Sequence, residues 1–263
     1  MRLLLLLSAL QGPGSGPVLI ANTTVVDVQN GLAVSGRSIL VRDGRIVEVG
    51  PAGGATPPGT RIIDGQGKYL IPGLWDMHVH AAFPQLDQLF LPLLLANGVT
   101  GVREMWSQLS WIDASRARVR RGELAGPRIY GAGNLVDGVP PIWPGSMGVA
   151  GPDEGRRAVD SLTRHGAGFI KVYRRLAPET YRAIAAEAAT IEPARFLGAA
   201  DSMGTGALGK VADLVLLDAN PLESIRNTAR IAAVISGGRV YQRPALDSLL
   251  AAGRERARSA AGR

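Results

Sequence analysis

No cysteine occurs among the 263 residues. Disulfide frameworks, thiolate metal sites and cysteine nucleophiles are therefore excluded, and the redox compartment leaves no mark on the chain. Aromatic residues are few, at 5%. No stretch approaches the roughly 20 consecutive apolar residues that span a bilayer, and no internal period marks a solenoid or propeller. Histidine is scarcest among the groups that could do chemistry: His78, His80 and His165 are the only three. Any imidazole function is confined to those positions.

What is present describes an ordinary globular chain, 46% hydrophobic and 19% charged. The 34 glycines and 17 prolines fall in short turn-like clusters, which predicts many short elements joined by tight connections. The net charge of +7 raises nucleic acid as a partner. The densest basic groups, Arg116, Arg118, Arg120 and Arg121, then Arg254, Arg256 and Arg258, lie in helix-like segments without interleaved stacking aromatics. They read as solvated helix faces, so no nucleic-acid partner is expected. The start, Met1-Arg2 followed by Leu3 to Leu7, has two readings. One is a clipped signal peptide, which would make the protein exported or periplasmic; the other is a leucine-rich disordered start.

From Val18 the pattern is β-like. Short apolar strands are separated by Asn30-Gly31 and by Asp43-Gly44, the latter a type I′ hairpin signal. From Tyr69 strands alternate with helices. A strand ending near His80 leads to a helix from about Leu86 to Asn97, and the strand Gly98–Arg103 to a helix around Trp111 to Gly122. The strand Pro127–Gly131 then gives way to a Gly- and Pro-rich loop over 132–152, carrying Trp143 and Met147, which could wall a pocket or act as a lid. A helix from Pro152 to His165 leads to the strand Gly168–Tyr173, and a helix opens at Pro178. After Thr190 β character returns in Ala212–Asp218, Ile231–Ile235 and Arg239–Tyr241. The last stretch, Leu246 to Arg258, has helical apolar spacing.

These patterns predict an α/β protein in which an incomplete parallel (β/α) barrel of about four βα units is inserted into a small β-sandwich domain. The sandwich would combine the N- and C-terminal segments, 18–68 with 199–243. The partial barrel would occupy 69–198, a basic helix 244–263, and the possible signal and linker segment 1–17.

His78 and His80 are two apart on one predicted strand, so both imidazoles point to the same face. They end the first parallel strand, where a barrel of this type carries its active site. Imidazole is a common ligand of zinc and related divalent ions, and the alternative is a chance pairing on a loop. His165 falls in a helix-to-strand turn on the opposite face and reads as structural.

Three stretches, in this order, resemble the amidohydrolase superfamily. Ile71-Pro72-Gly73-Leu74-Trp75-Asp76-Met77-His78-Val79-His80 is similar to its proline-glycine and HxH metal motif. Gly168-Phe169-Ile170-Lys171-Val172-Tyr173 resembles the fourth-strand lysine segment of the subgroup that includes imidazolonepropionase and the Xaa-Arg and Xaa-Pro dipeptidases. Gly209-Lys210-Val211-Ala212-Asp213-Leu214-Val215 resembles the return to the β domain. The resemblance implies a hydrolase acting on a non-ester C–N bond of a small amide, lactam or dipeptide through a metal-activated hydroxide. It implies a divalent metal, usually zinc, held by His78 and His80. Lys171, as a carbamate, would bridge two ions; otherwise it is a lysine exposed at a strand end. Asp76 would orient an imidazole and Tyr173 would line the pocket.

The family pattern continues with histidines after the fifth and sixth strands and an aspartate after the eighth. Here the helix from Pro178 runs into Thr190–Gly198, which resembles a segment following the barrel, and no histidine follows His165. Asp201 and Asp218 fall in the return to the β domain. Two further expectations follow: a truncated, catalytically inactive relative, or a half-barrel that self-associates to cover its open edges and share ligands.

Overall fold

The computed structural model describes residues 16–191 and 208–261. The leucine-rich start, the segment from Glu192 to Gly198 and Asp201 lie outside the described residues. The fold is mixed α/β and divides into two compact units. One takes Met1–Leu74, Pro92–Thr100 and Ser202–Arg263; the other takes Trp75–Leu91 and Gly101–Asp201.

The first unit is built on β1 (Val18–Asp27), β2 (Leu32–Arg42), β3 (Arg45–Pro51), β4 (Arg61–Asp64) and β5 (Tyr69–Pro72), then β11 (Leu214–Leu217), β12 (Ile231–Ser236) and β13 (Arg239–Gln242). All eight join one sheet, ordered β13-β12-β11-β5-β1-β2-β3, with β4 also on β1. One side of β1 pairs antiparallel with β2, Val18 opposite Val41. Its other side is shared by two short parallel partners, β4 from Val18 opposite Arg61 and β5 from Thr24 opposite Tyr69. The hairpin between β2 and β3 turns at Asp43 and Gly44, with φ of 51° and 75°. Two successive positive φ values are what a type I′ turn requires.

The sheet is continuous because β5 pairs antiparallel with β11, Leu70 opposite Leu216. The sandwich expected from sequence is thus a single sheet whose far end returns. Arg45 bridges Val211, and Ile46 donates its N–H to the Lys210 carbonyl at 2.9 Å. That curvature encloses one core, in which Ile20, Ile39 and Ile46 pack with Leu70, Leu214, Leu216 and Ile235. The closing helix is α5 (Arg243–Ala261). It buries Leu246 completely, and Gly253 lies so close to Leu93 that a Cβ would collide with the leucine side chain.

The second unit holds β6 (Leu74–Val79), β7 (Val99–Glu104) and β8 (Arg128–Gly131), hydrogen-bonded in that order. The β7–β8 pairing is parallel, from Gly101 opposite Arg128 to Glu104 opposite Gly131. Helices α1 (Asp87–Ala96) and α2 (Leu109–Arg121) make the crossovers. Helix α2 stops at Gly122, whose φ of 77° is the left-handed C-terminal turn that glycine adopts without strain. Asp87, nearly buried in the first turn of α1, accepts hydrogen bonds from Arg118 Nη1 at 2.8 Å and Ser115 Oγ at 3.0 Å. Of the arginines first considered for nucleic acid, Arg116 also pairs with Asp113, and Arg121 with Glu123.

The segment 132–152 is more ordered than its composition predicts. Within it β9 (Val136–Asp137) and β10 (Met147–Gly148) pair in parallel. Conversely, Gly168–Tyr173, read as a strand, makes only one parallel bridge, Val172 to Val136. The Val136 N–H bonds the Lys171 carbonyl at 3.0 Å and the Tyr173 N–H bonds the Val136 carbonyl at 2.9 Å. Helices α3 (Pro152–Arg164) and α4 (Pro178–Ile191) cover this region over a core of Val136, Val149, Val159, Leu162 and Ile184.

Candidate functional site

Strand β6 ends at Val79, which is buried, while His78 and His80 on either side of it are exposed. Period-two alternation places the two imidazoles together. Their ring centroids are 5.3 Å apart in an edge-on arrangement. The Asp76 carboxylate accepts the backbone N–H of His78 at 3.0 Å, a bond local to the strand end.

The carboxylate that faces an imidazole is Glu104, at the end of β7. It is fully buried. Its Oε2 accepts the N–H groups of Ala81 and Ala82 at 2.6 and 2.8 Å, and its Oε1 accepts that of Trp106 at 3.3 Å. His80 Nδ1 lies 3.5 Å from Oε1 and 3.4 Å from the Trp106 carbonyl. Burial pushes the Glu104 carboxyl above the usual carboxylate range, and the three N–H donors and His80 oppose that rise. Sequence reading ended its strand at Arg103 and passed over this residue. The signal was there: an acidic side chain closing an otherwise apolar strand at the end where such folds carry function.

An aromatic cluster adjoins the pair. Trp106 lies 6.1 Å from the His80 ring, 5.5 Å from Phe83 and 5.5 Å from Trp143. Phe83 also meets Trp111 at 5.7 Å. Three of the four tryptophans thus gather here, although the chain is poor in aromatics. Trp143 is held by an organised loop. Buried Asp137 accepts the N–H groups of Gly138, Ile142 and Arg175 at 2.9, 3.1 and 2.7 Å, and Arg175 Nη1 bonds the Pro140 carbonyl at 2.7 Å.

Lys171 and Tyr173 are partly buried and flank the Val172 bridge. His165 caps α3, its Nδ1 2.7 Å from the Ser161 carbonyl. In donor chemistry His78 and His80 suit a zinc-class ion, which takes imidazole nitrogen readily. A catalytic zinc normally has three protein ligands. Among the described residues no group of three or more His, Asp or Glu side chains is placed to hold an ion. The two imidazoles by themselves fall short of that ligand number, and Glu104 is already engaged by backbone donors.

The profile of the Amidohydrolase family matches residues 136–241. Adenine deaminase of Ruegeria pomeroyi is 41% identical over 97 residues, which are 36% of this chain and 16% of that protein. Dihydroorotase of Trichlorobacter lovleyi is 40% identical over 70 residues, 27% of this chain and 16% of that protein. The matched stretch thus spans about a sixth of the length of these curated relatives. In fold, the chain is similar to a Bifidobacterium longum protein assigned as a prolidase, with TM-score 0.76, 19% identity, and coverage of 92% of this chain and 100% of that one. It is also similar to a Xaa-Pro dipeptidase with methionine bound in its active site, with TM-score 0.70, 16% identity, and coverage of 86% and 100%. The chain is thus similar to the Amidohydrolase family over residues 136–241, to a deaminase and a dihydroorotase over shorter stretches, and in fold to prolidase-type proteins.

Proposed function

We propose that this protein is a hydrolase of a non-ester C–N bond in a small amide, lactam or dipeptide, with His78 and His80 as two ligands of a divalent metal, zinc by donor preference. The observation that carries the reading is the imidazole pair closing β6, 5.3 Å apart, with buried Glu104 behind His80. The names of the relatives, deaminase, dihydroorotase and prolidase, are those of C–N hydrolases and support it. Such a metal, when bound, supplies a hydroxide nucleophile at neutral pH.

The chain's own residues contribute the rest. His80 presents the ring nitrogen opposite its Glu104 contact. Trp106 and Trp143 offer an apolar wall beside it that would exclude water and take the substrate's apolar portion. Lys171, as a carbamate, is the proposed further ligand, with Tyr173 at the pocket edge. The barrel would be partial, about four βα units, and self-association would cover its open edges.

A second reading, an inactive relative, is favoured by the lack of a three-ligand cluster among the described residues. One experiment separates the two: metal content, mass in solution and hydrolysis of N-acetyl amino acids and Xaa-Pro dipeptides, all on one sample. Bound zinc, with hydrolysis lost on chelation and in His78→Ala and His80→Ala, supports the enzyme. A metal-free, inert chain supports the inactive relative.

A further inference from the structure

We propose that Glu104 is a positioning residue that holds His80 as its Nδ1–H tautomer and so leaves Nε2 as the nitrogen with a free lone pair. The argument is one of donors and acceptors. His80 Nδ1 faces two oxygens, Glu104 Oε1 at 3.5 Å and the Trp106 carbonyl at 3.4 Å. A carbonyl oxygen can only accept, and Glu104 is itself surrounded by three N–H donors, so the site is satisfied by its acceptor-only carboxylate form. A nitrogen facing two acceptors carries the proton, and in a neutral imidazole the other nitrogen is then the acceptor.

Glu104 is well suited to this task because it cannot swing away. Its Oε2 is fixed by the consecutive N–H groups of Ala81 and Ala82, the residues directly after His80. The same carboxylate therefore fixes the backbone that follows the histidine and the ring itself. Trp106, whose N–H bonds Oε1 and whose carbonyl faces Nδ1, completes the cradle. Use of the exposed Nε2 as a ligand rests on the hydrolase reading; the tautomer does not.

The test is independent of metal and turnover. Histidine is labelled with 15N in the metal-free protein, and long-range proton–nitrogen spectra are recorded well above the ordinary imidazole pKa of about 6.5. With three histidines, the His165→Gln and His78→Gln variants assign the signals. Free neutral imidazole side chains in water favour Nε2–H, so an Nδ1–H pattern for His80 is the distinguishing result. Glu104→Gln should shift the balance toward Nε2–H. The amide oxygen is claimed by Ala81 and Ala82, which turns the NH2 toward Nδ1 and leaves the Trp106 carbonyl as the one acceptor facing that nitrogen. Glu104→Asp keeps an acceptor and should restore Nδ1–H in part. An Nε2–H pattern in the wild-type protein, or one unchanged by Glu104→Gln, overturns the proposal. The wild-type spectrum decides the matter even if the glutamine variant does not fold. An inert protein with Nδ1–H His80 would remove the hydrolase reading and leave this inference standing.

Discussion

At Gly101 the backbone of β7 lies against the indole of Trp75, and a Cβ built there would overlap the ring. Gly101→Ala is therefore expected to cost about 1–3 kcal/mol, the usual range for overpacking a filled site, read from chemical denaturation; an unchanged midpoint would show that the ring can yield. Tyr241 gives a pH prediction. Burial raises its phenol pKa, and the charge and hydrogen bond of Arg239 oppose the rise. A pKa raised on folding contributes stability that is present below the unfolded value of about 10 and lost as pH climbs through the folded value. Tyr241 should therefore ionise later than an exposed tyrosine, and the alkaline phenolate titration of Tyr241→Phe should lack that late component. Loss of an early component instead would contradict the assignment. Neither residue stood out in the sequence. A glycine after a threonine and a tyrosine near a terminus have no local signature, because what matters is the side chain that tertiary folding brings against them.

Among the elements, the segment 138–150 shows how a single buried carboxylate organises a stretch with little regular structure. Asp137 caps three backbone N–H groups, two within the loop and one at Arg175. Asp137→Ala leaves those donors without their partner, at a cost of about 1–3 kcal/mol per buried group left unsatisfied. The amides of Gly138, Ile142 and Arg175 should then exchange with solvent faster than in the wild type, and the Trp143 environment should change in fluorescence. Protection unchanged at all three amides would mean that Arg175 and Pro140 hold the loop by themselves. The Gly/Pro composition marked this region as a loop carrying Trp143 and Met147, and Met147 lies in β10. It could not reveal that Asp137 is buried, or that Val136 donates its N–H to the Lys171 carbonyl and accepts that of Tyr173. For the same reason Gly168–Tyr173 reads as a strand from its alternation but makes only one bridge: the partner it needs is two residues of β9, too short to extend a ladder.

For the molecule as a whole, the decisive feature of the first unit is that its sheet unites segments far apart in the chain. Leu70 on β5 pairs with Leu216 on β11, and Leu216 is almost wholly buried. Leu216→Ala should destabilise by about 2–5 kcal/mol, as large-to-small core changes do. Because so distant a pairing carries a large loop-closure cost, the main effect should fall on unfolding rather than folding if the pairing forms late. Stopped-flow refolding and unfolding of the variant measure this, and a slowed folding limb would instead place β5–β11 in the transition state.

The sequence by itself determined the alternation of elements, the turn at Asp43-Gly44, the pairing of N- and C-terminal β segments, and the HxH pair with its family resemblance. Each of these is a local pattern: a period of two or 3.6, a residue type that a turn angle demands, or a short motif. Only the tertiary structure decided that the β segments form one curved sheet and that Glu104 lies behind His80. It also brought Trp106 and Trp143 together beside that ring. Those facts depend on which distant groups share a buried space, where an unpaired N–H or carboxylate is costly and must find a partner. No sequence pattern encodes that partnership, and it is the partnership that gives His80 its orientation.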